Sequence, residues 1–133
     1  MTRTYHGSCH CGAVRFEAEL DLNAGTSKCN CSICAKARFW KIIVGADAFR
    51  LVSGAEDLGD YRFGDRVIRH RFCRHCGVKT FGSGKLATIG DFYAVNLACL
   101  DDATEMELAE APVEYQDGRN GAWDRRPDEV RHL

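Results

Sequence analysis

Cysteine is the residue that most constrains this chain, because eight of its 133 residues are cysteines and most of them stand in close groups. The groups are Cys9 and Cys11, then Cys29, Cys31 and Cys34, then Cys73 and Cys76, with Cys99 alone. Cysteines in this number form disulfides, bind metal ions or carry out redox chemistry.

The cellular compartment decides between disulfides and metal. The N-terminal residues contain no apolar stretch of the signal-peptide type, and no apolar run approaches the roughly 20 residues that span a bilayer. We therefore expect a cytoplasmic chain with no membrane partner, in a reducing compartment where thiols persist and disulfides are rare. Metal binding is then the leading explanation of the cysteines.

Length and composition indicate one globular domain. A chain of 133 residues matches one ordinary domain, and its 45% apolar and 28% charged residues are typical of a folded protein. We expect residues 1–133 to form a single zinc-binding β domain. The formal net charge of -1 argues against a nucleic-acid partner, because proteins that bind nucleic acids usually carry a basic excess on one face.

Short apolar segments predict a mainly β fold. Residues 14–20 alternate apolar and polar side chains, which is the period of a half-buried strand. The other predicted strands are residues 39–44, 49–52, 58–63, 66–72, 80–81 and 92–97. Gly64 and Asp65 predict a hairpin, and helical turns are expected after Cys34 and at residues 103–109, with a loop from Glu114 onward. Strands at this spacing predict a sandwich or a barrel.

The first and last cysteine pairs predict one closed metal site. Gly77 follows a Cys-x-x-Cys pair, the form of a zinc knuckle, whose tight turn directs two thiolates at one point. Gly12 fits a similar turn after the Cys-x-Cys pair. Together the two pairs supply four thiolates, the ligand set of structural zinc. They are Cys9, Cys11, Cys73 and Cys76.

The middle group predicts a second, open metal site. Cys29, Cys31 and Cys34 can direct three thiolates at one ion if the chain turns at Asn30 and continues into a helical turn. Three protein ligands leave one position vacant, whereas structural zinc is almost always held by four. A vacant position on a metal is typical of a catalytic site.

Other readings of the cysteines remain open at this stage. Eight cysteines could form four disulfides, and the Cys-x-x-Cys pair could be a redox centre. The group of three could also complete a purely structural site with His10, His75 or Cys99 as its fourth ligand. Cys99 stands in an apolar run and is otherwise expected to be a small buried hydrophobe. His70 is expected on a sheet surface.

These motifs together resemble those of the glutathione-dependent formaldehyde-activating enzyme family. The resemblance runs almost from end to end, through residues 7–16, 29–34 and 72–77 and a C-terminal pattern at residues 96–101, 115–119 and Trp123. In the places where this family often carries a histidine and a basic residue, this chain has Asn30 and Ala35.

The resemblance implies a fold, two metal ions and an activity. The fold is a mainly β, Mss4-like zinc-stabilised domain, either a sheet or a barrel, with few short helical turns. The family pattern makes Cys9, Cys11, Cys73 and Cys76 the ligands of a structural zinc, and Cys29, Cys31 and Cys34 those of a catalytic zinc. The implied activity is that of a carbon–sulfur lyase, which reversibly joins formaldehyde to glutathione and forms S-hydroxymethylglutathione.

A thiol substrate fits an open site of three thiolates. A substrate thiolate is a natural fourth ligand of such a soft site, and the cations Lys28, Lys36, Arg38 and Lys41 could attract the carboxylates of a glutathione-like molecule. The alternative is a non-catalytic zinc-stabilised protein-interaction module. Such a module would have a filled fourth position and would be indifferent to thiols.

Overall fold

The computed structural model describes Met1–Leu133 as ten strands and two short α-helices. The strands are β1 (Arg3–Ser8), β2 (Arg15–Leu20), β3 (Thr26–Cys29), β4 (Lys41–Gly45), β5 (Phe49–Ser53), β6 (Leu58–Tyr61), β7 (Arg69–Cys73), β8 (Lys79–Leu86), β9 (Gly90–Asn96) and β10 (Val113–Gln116). The helices are α1 (Ser32–Ala37) and α2 (Glu105–Glu110), and neither could cross a lipid bilayer.

The strands form two separate sheets. The smaller sheet has the order β1-β2-β5, and the larger has the order β10-β3-β4-β9-β8-β7-β6. All neighbours are antiparallel except β10 and β3, which run parallel. The predicted mainly β fold is confirmed, and both sheets are open rather than closed into a barrel.

An aromatic cluster joins the two sheets. Phe49 on β5 stacks on Tyr93 of β9 with ring centroids 4.2 Å apart, and it contacts Phe81 of β8 at 4.7 Å. Phe16 on β2 stacks on Phe49 from within the smaller sheet at 5.4 Å. The alternation predicted for β2 is real, because Phe16, Ala18 and Leu20 are all buried in this core.

Three strands lie outside the sequence prediction. β1 and β3 were not predicted, and β10 occupies part of the segment from Glu114 that was expected to be a loop. β10 forms because it pairs along β3, a strand far away in the sequence. The predicted hairpin around Gly64 exists as the antiparallel pair β6 and β7, but its connection is the longer loop 62–68.

A β-bulge in β8 changes the direction of one side chain. Arg71 pairs with Phe81 and the next residue, Phe72, pairs with Lys79, so Thr80 is the extra residue between them. Strict alternation would place Lys79 on the core face with Phe81, but a bulge re-aims the side chain beyond it. Lys79 therefore faces the opposite side of the sheet, where it lines a cleft.

Candidate metal centres and the adjoining cleft

The first and last cysteine pairs meet in one cluster of four thiols. Cys9 and Cys11 lie at the connection of β1 to β2, and Cys73 and Cys76 lie at the connection of β7 to β8. The Sγ atoms of Cys9 and Cys11 are 3.7 Å apart, and those of Cys11 and Cys73 are 3.6 Å apart. The cluster therefore joins the smaller sheet to the larger one.

Local turns place these thiols. Gly77 has a φ of 79°, and its N–H donates to the carbonyl of Cys73 over 2.8 Å, which closes the turn. The N–H of His75 also donates to the Cys73 sulfur at 3.4 Å. Backbone N–H groups, that of Val78 first, lower the pKa of Cys76 to about 6, because they stabilise its thiolate.

The spacing of the sulfurs fits zinc better than disulfides. A Zn–S bond of about 2.3 Å in a tetrahedron places neighbouring sulfurs about 3.8 Å apart, whereas a disulfide needs about 2.05 Å. The sulfur separations of 3.6 and 3.7 Å are close to the first value, and all eight cysteines are free thiols. These four residues can hold one metal ion.

The middle group forms a second cluster of three thiols. Cys29 ends β3, Cys31 caps the start of α1, and Cys34 lies within that helix. The Cys29 and Cys31 sulfurs are 3.4 Å apart, and all three ligand atoms lie within 4.8 Å of one another. Interaction with Cys29 and Cys34 lowers the pKa of the Cys31 thiol. This group too can hold a metal ion.

None of the suggested fourth ligands belongs to the three-thiol cluster. His10 and His75 lie in the two connections that carry the four-thiol cluster, and the His75 Nε2 atom is 2.6 Å from the Asp57 Oδ1 atom. Cys99 is buried in the main core, and burial raises its pKa to about 12. The fourth ligand that the purely structural reading requires is therefore none of these three residues.

A cleft of about 900 Å³ opens onto this cluster. Its floor is the outer face of β4, β7, β8 and β9, and its walls are the loop 62–68 and the C-terminal segment 116–123. Much of the lining is apolar and includes Phe39, Ile43, Phe63, Ile68, Phe92 and Trp123. The three thiols therefore stand at a space large enough for a small organic molecule.

The structure separates the four predicted cations. Lys36 and Arg38 are exposed, and the Lys28 Nζ atom lies 5.6 Å from the Trp40 ring centroid. Lys41 alone lines the cleft, with 7% of its surface exposed. Its Nζ atom is buried and has no hydrogen-bond partner.

Lys79 and His70 are cleft residues that sequence reasoning missed. The Lys79 Nζ atom lies 2.9 Å from His70 Nδ1 and 3.9 Å from the Phe39 ring centroid. Burial and the charge of Lys79 lower the pKa of His70, which favours a neutral ring whose Nδ1 atom can accept a hydrogen bond from the Lys79 ammonium. His70 is buried rather than on the sheet surface, which alternation with the flanking Arg69 and Arg71 could have indicated.

The C-terminal segment is held against the three-thiol cluster. The side-chain Nδ2 group of Asn30 donates to the Asp117 carboxylate over 3.0 Å, and the side-chain Oδ1 atom of Asn30 accepts from the Arg119 backbone N–H over 2.9 Å. A Cβ atom on Gly118 would lie 2.5 Å from the Trp123 ring and 3.1 Å from the Cys31 Cβ atom. Asn30 therefore positions one wall of the cleft instead of pointing into it.

Two comparisons with known proteins agree with this arrangement. A model of the family described as glutathione-dependent formaldehyde-activating enzyme matches residues 4–115. The fold is similar to the crystal structure of a Rhodobacter sphaeroides protein, with a TM-score of 0.69 and 36% sequence identity. That similarity covers 82% of this chain and 99% of the other.

Proposed function

This chain belongs to the glutathione-dependent formaldehyde-activating enzyme family, and we propose that it is a zinc-dependent carbon–sulfur lyase. It would reversibly join an aldehyde to a thiol, with formaldehyde and glutathione giving S-hydroxymethylglutathione. In this proposal Cys29, Cys31 and Cys34 hold the catalytic zinc. The structural zinc belongs to the other four thiols, Cys9, Cys11, Cys73 and Cys76.

One observation carries the proposal. The three-thiol cluster has no fourth protein ligand and lies at the cleft, whereas the four-thiol cluster is complete. Closed sets of four ligands are typical of structural zinc, and sets of three with an open position are typical of catalytic zinc. The two clusters therefore differ in the number of protein ligands, which is the property that distinguishes catalytic from structural zinc.

The donor set suits the proposed chemistry. Zinc bound to three thiolates would supply a soft Lewis acid that lowers the pKa of a neighbouring thiol. The positive charges of Lys41 and Lys79 favour an anionic molecule in the cleft. The apolar side chains around them lower the local dielectric constant, which strengthens these electrostatic interactions.

The reaction itself needs no redox partner. The sulfur of the thiol forms a bond to the carbonyl carbon, the C=O π bond breaks, and the oxygen receives the proton that the thiol gave up. The cleft can hold the two reactants in a fixed orientation, which lowers the barrier to a reaction between two molecules. Lys79 and His70 are the hydrogen-bonded titratable pair that could hold the proton in transit.

Calorimetric titration of the zinc-loaded protein tests the proposal. We expect glutathione to bind and S-methylglutathione, which lacks a free thiol, to bind much more weakly. Formaldehyde should then exchange with its glutathione adduct faster in the presence of the protein, as measured by NMR. Equal binding of both tripeptides would mean that the metal does not take part in recognising the thiol. A protein that bound no thiol would favour the interaction module instead.

A further inference from the structure

Lys41 is the one buried side chain in the molecule whose polar atom has no hydrogen-bond partner. It is the first residue of β4 and lines the cleft, and only 7% of its surface is exposed. An isolated buried ammonium group is costly, because it has lost its water and gained no partner. Apart from the charge of the neighbouring Cys29 thiol, the chain offers this ammonium no partner, which leaves its hydrogen-bond donors available to a ligand.

The rest of the chain leaves Lys41 free. Lys79, the other lysine of the cleft, already contacts His70 Nδ1 and the ring of Phe39. Asp65 is the one carboxylate among the cleft residues, and it is exposed on the loop 62–68 with its Oδ1 atom accepting from the Val67 N–H. Arg119 also lines the cleft but is exposed, so of the two lysines one is held by neighbours and the other is not.

The position of Lys41 relates it to the three thiols. On β3, Ser27 pairs directly with Lys41 across the sheet, and Cys29 follows two residues later on that strand. In an extended strand, residues two apart share one face of the sheet. Lys41 and the thiol cluster thus lie next to each other in the lining of a single cleft.

We propose that Lys41 binds a carboxylate of the thiol substrate, so that this protein selects thiols that carry a carboxylate. This inference rests on the proposed function, since it specifies the substrate of the same site. The apolar lining around Lys41 strengthens the ion pair by lowering the local dielectric constant. A neutral thiol of the same size would leave the ammonium unpaired and would bind more weakly.

Three probes separate the thiol from the carboxylate. They are 3-mercaptopropionate, its uncharged amide 3-mercaptopropionamide, and 3-(methylthio)propionate, which has the carboxylate but no free thiol. Each is titrated into zinc-loaded wild-type protein, Lys41→Met and the control Lys36→Met. Methionine keeps an unbranched apolar side chain one atom shorter than that of lysine and removes the ammonium, and Lys36 is exposed on α1 outside the cleft. Zinc content and melting temperature are measured for every variant.

The expected result is a charge preference that depends on Lys41 alone. Wild type and Lys36→Met should bind the acid about tenfold more tightly than the amide, the usual contribution of one hydrogen bond to a charged group. Lys41→Met should lose this preference by weakening for the acid, while its affinity for the amide and its zinc content stay unchanged.

Two results would overturn the inference. One is a wild-type protein that binds both thiols equally, and the other is an acid preference that survives in Lys41→Met. If neither thiol binds, the proposed function fails and 3-(methylthio)propionate decides the role of Lys41. Binding of that probe to wild type but not to Lys41→Met would still support the carboxylate site, and no binding to wild type would refute it.

Discussion

The side-chain amide of Asn30 donates a hydrogen bond to the buried carboxylate of Asp117 over 3.0 Å. Asn30 lies between Cys29 and Cys31 of the three-thiol cluster, and this bond joins it to a residue 87 positions later in the chain. Asp117 also accepts from the Asn120 side chain at 2.9 Å, and its backbone N–H donates to the Arg125 carbonyl at 2.9 Å. Through its side chain and its backbone, Asp117 thus holds together the wall of the cleft that contains Trp123.

Replacing Asn30 with alanine should loosen this wall. Asn30→Ala removes the donor to Asp117 and the acceptor for the Arg119 N–H, so we expect a lower melting temperature and weaker glutathione binding. Zinc content should stay the same, because no thiol changes. The control is Asn23→Ala, at an exposed asparagine remote from the cleft. Equal glutathione affinities in the two variants would refute the positioning role of Asn30.

A methyl group at Gly118 should displace Trp123. Gly118→Ala places a Cβ atom 2.5 Å from the indole ring, and overpacking of this kind lowers the free energy of unfolding by about 1–3 kcal/mol. We expect a shifted tryptophan emission spectrum and weaker thiol binding. At Gly45 a Cβ atom meets only the Asp47 Oδ1 atom, at 3.1 Å, so Gly45→Ala is the matched control and should change neither. An unchanged spectrum in Gly118→Ala would contradict the contact.

The two cysteine clusters should differ in their contribution to stability. Cys76→Ser should melt far below wild type, because its cluster joins the two sheets and includes the core residues Cys9 and Cys73. Cys31→Ser should keep most of the fold while losing thiol binding, since its cluster lies within β3 and α1. If each cluster holds one zinc ion, as proposed, each variant should bind about one zinc ion fewer than wild type. If both variants unfold at the same temperature, the division into structural and catalytic sites is wrong.

The His6 side chain should make stability fall as pH rises. A hydrogen bond to Asp102, at 2.8 Å from the His6 Nδ1 atom, raises the pKa of His6 above its ordinary value of 6.5. The folded state therefore holds this proton more tightly than the unfolded state does. The stabilisation is complete below pH about 6.5 and is lost as the pH rises through the folded-state pKa.

The measurement compares melting temperatures of wild type and His6→Gln from pH 5.5 to 8.5 at saturating zinc. Loss of zinc in acid affects both proteins alike, so the difference between them reports His6. We expect that difference to be largest at low pH and to shrink as the pH increases. A difference that grows with pH would mean that Asp102 does not hold the His6 proton.

Local pattern explains which strands the sequence predicted. Residues 14–20 alternate strictly, so β2 could be recognised from its own side chains, and the buried Phe16, Ala18 and Leu20 confirm it. β10 could not be recognised in this way, because Val113–Gln116 has only one aliphatic residue and its hydrogen bonds depend on β3. The same reason applies to β3 itself, whose residues are mostly polar.

The sequence by itself determined the two candidate sets of metal ligands, because ligand number and spacing are local properties. The two cysteine pairs, each in a local turn, indicate a set of four thiols. The three cysteines within six residues indicate a set of three. The surroundings of the open cluster were decided by tertiary structure. The bulge at Thr80 turns Lys79 into the cleft, sheet pairing brings Lys41 beside the thiols, and Asn30 holds a distant segment over them. Charge and burial at a site depend on which strands become neighbours, and strand pairing depends on interactions between residues far apart in the sequence.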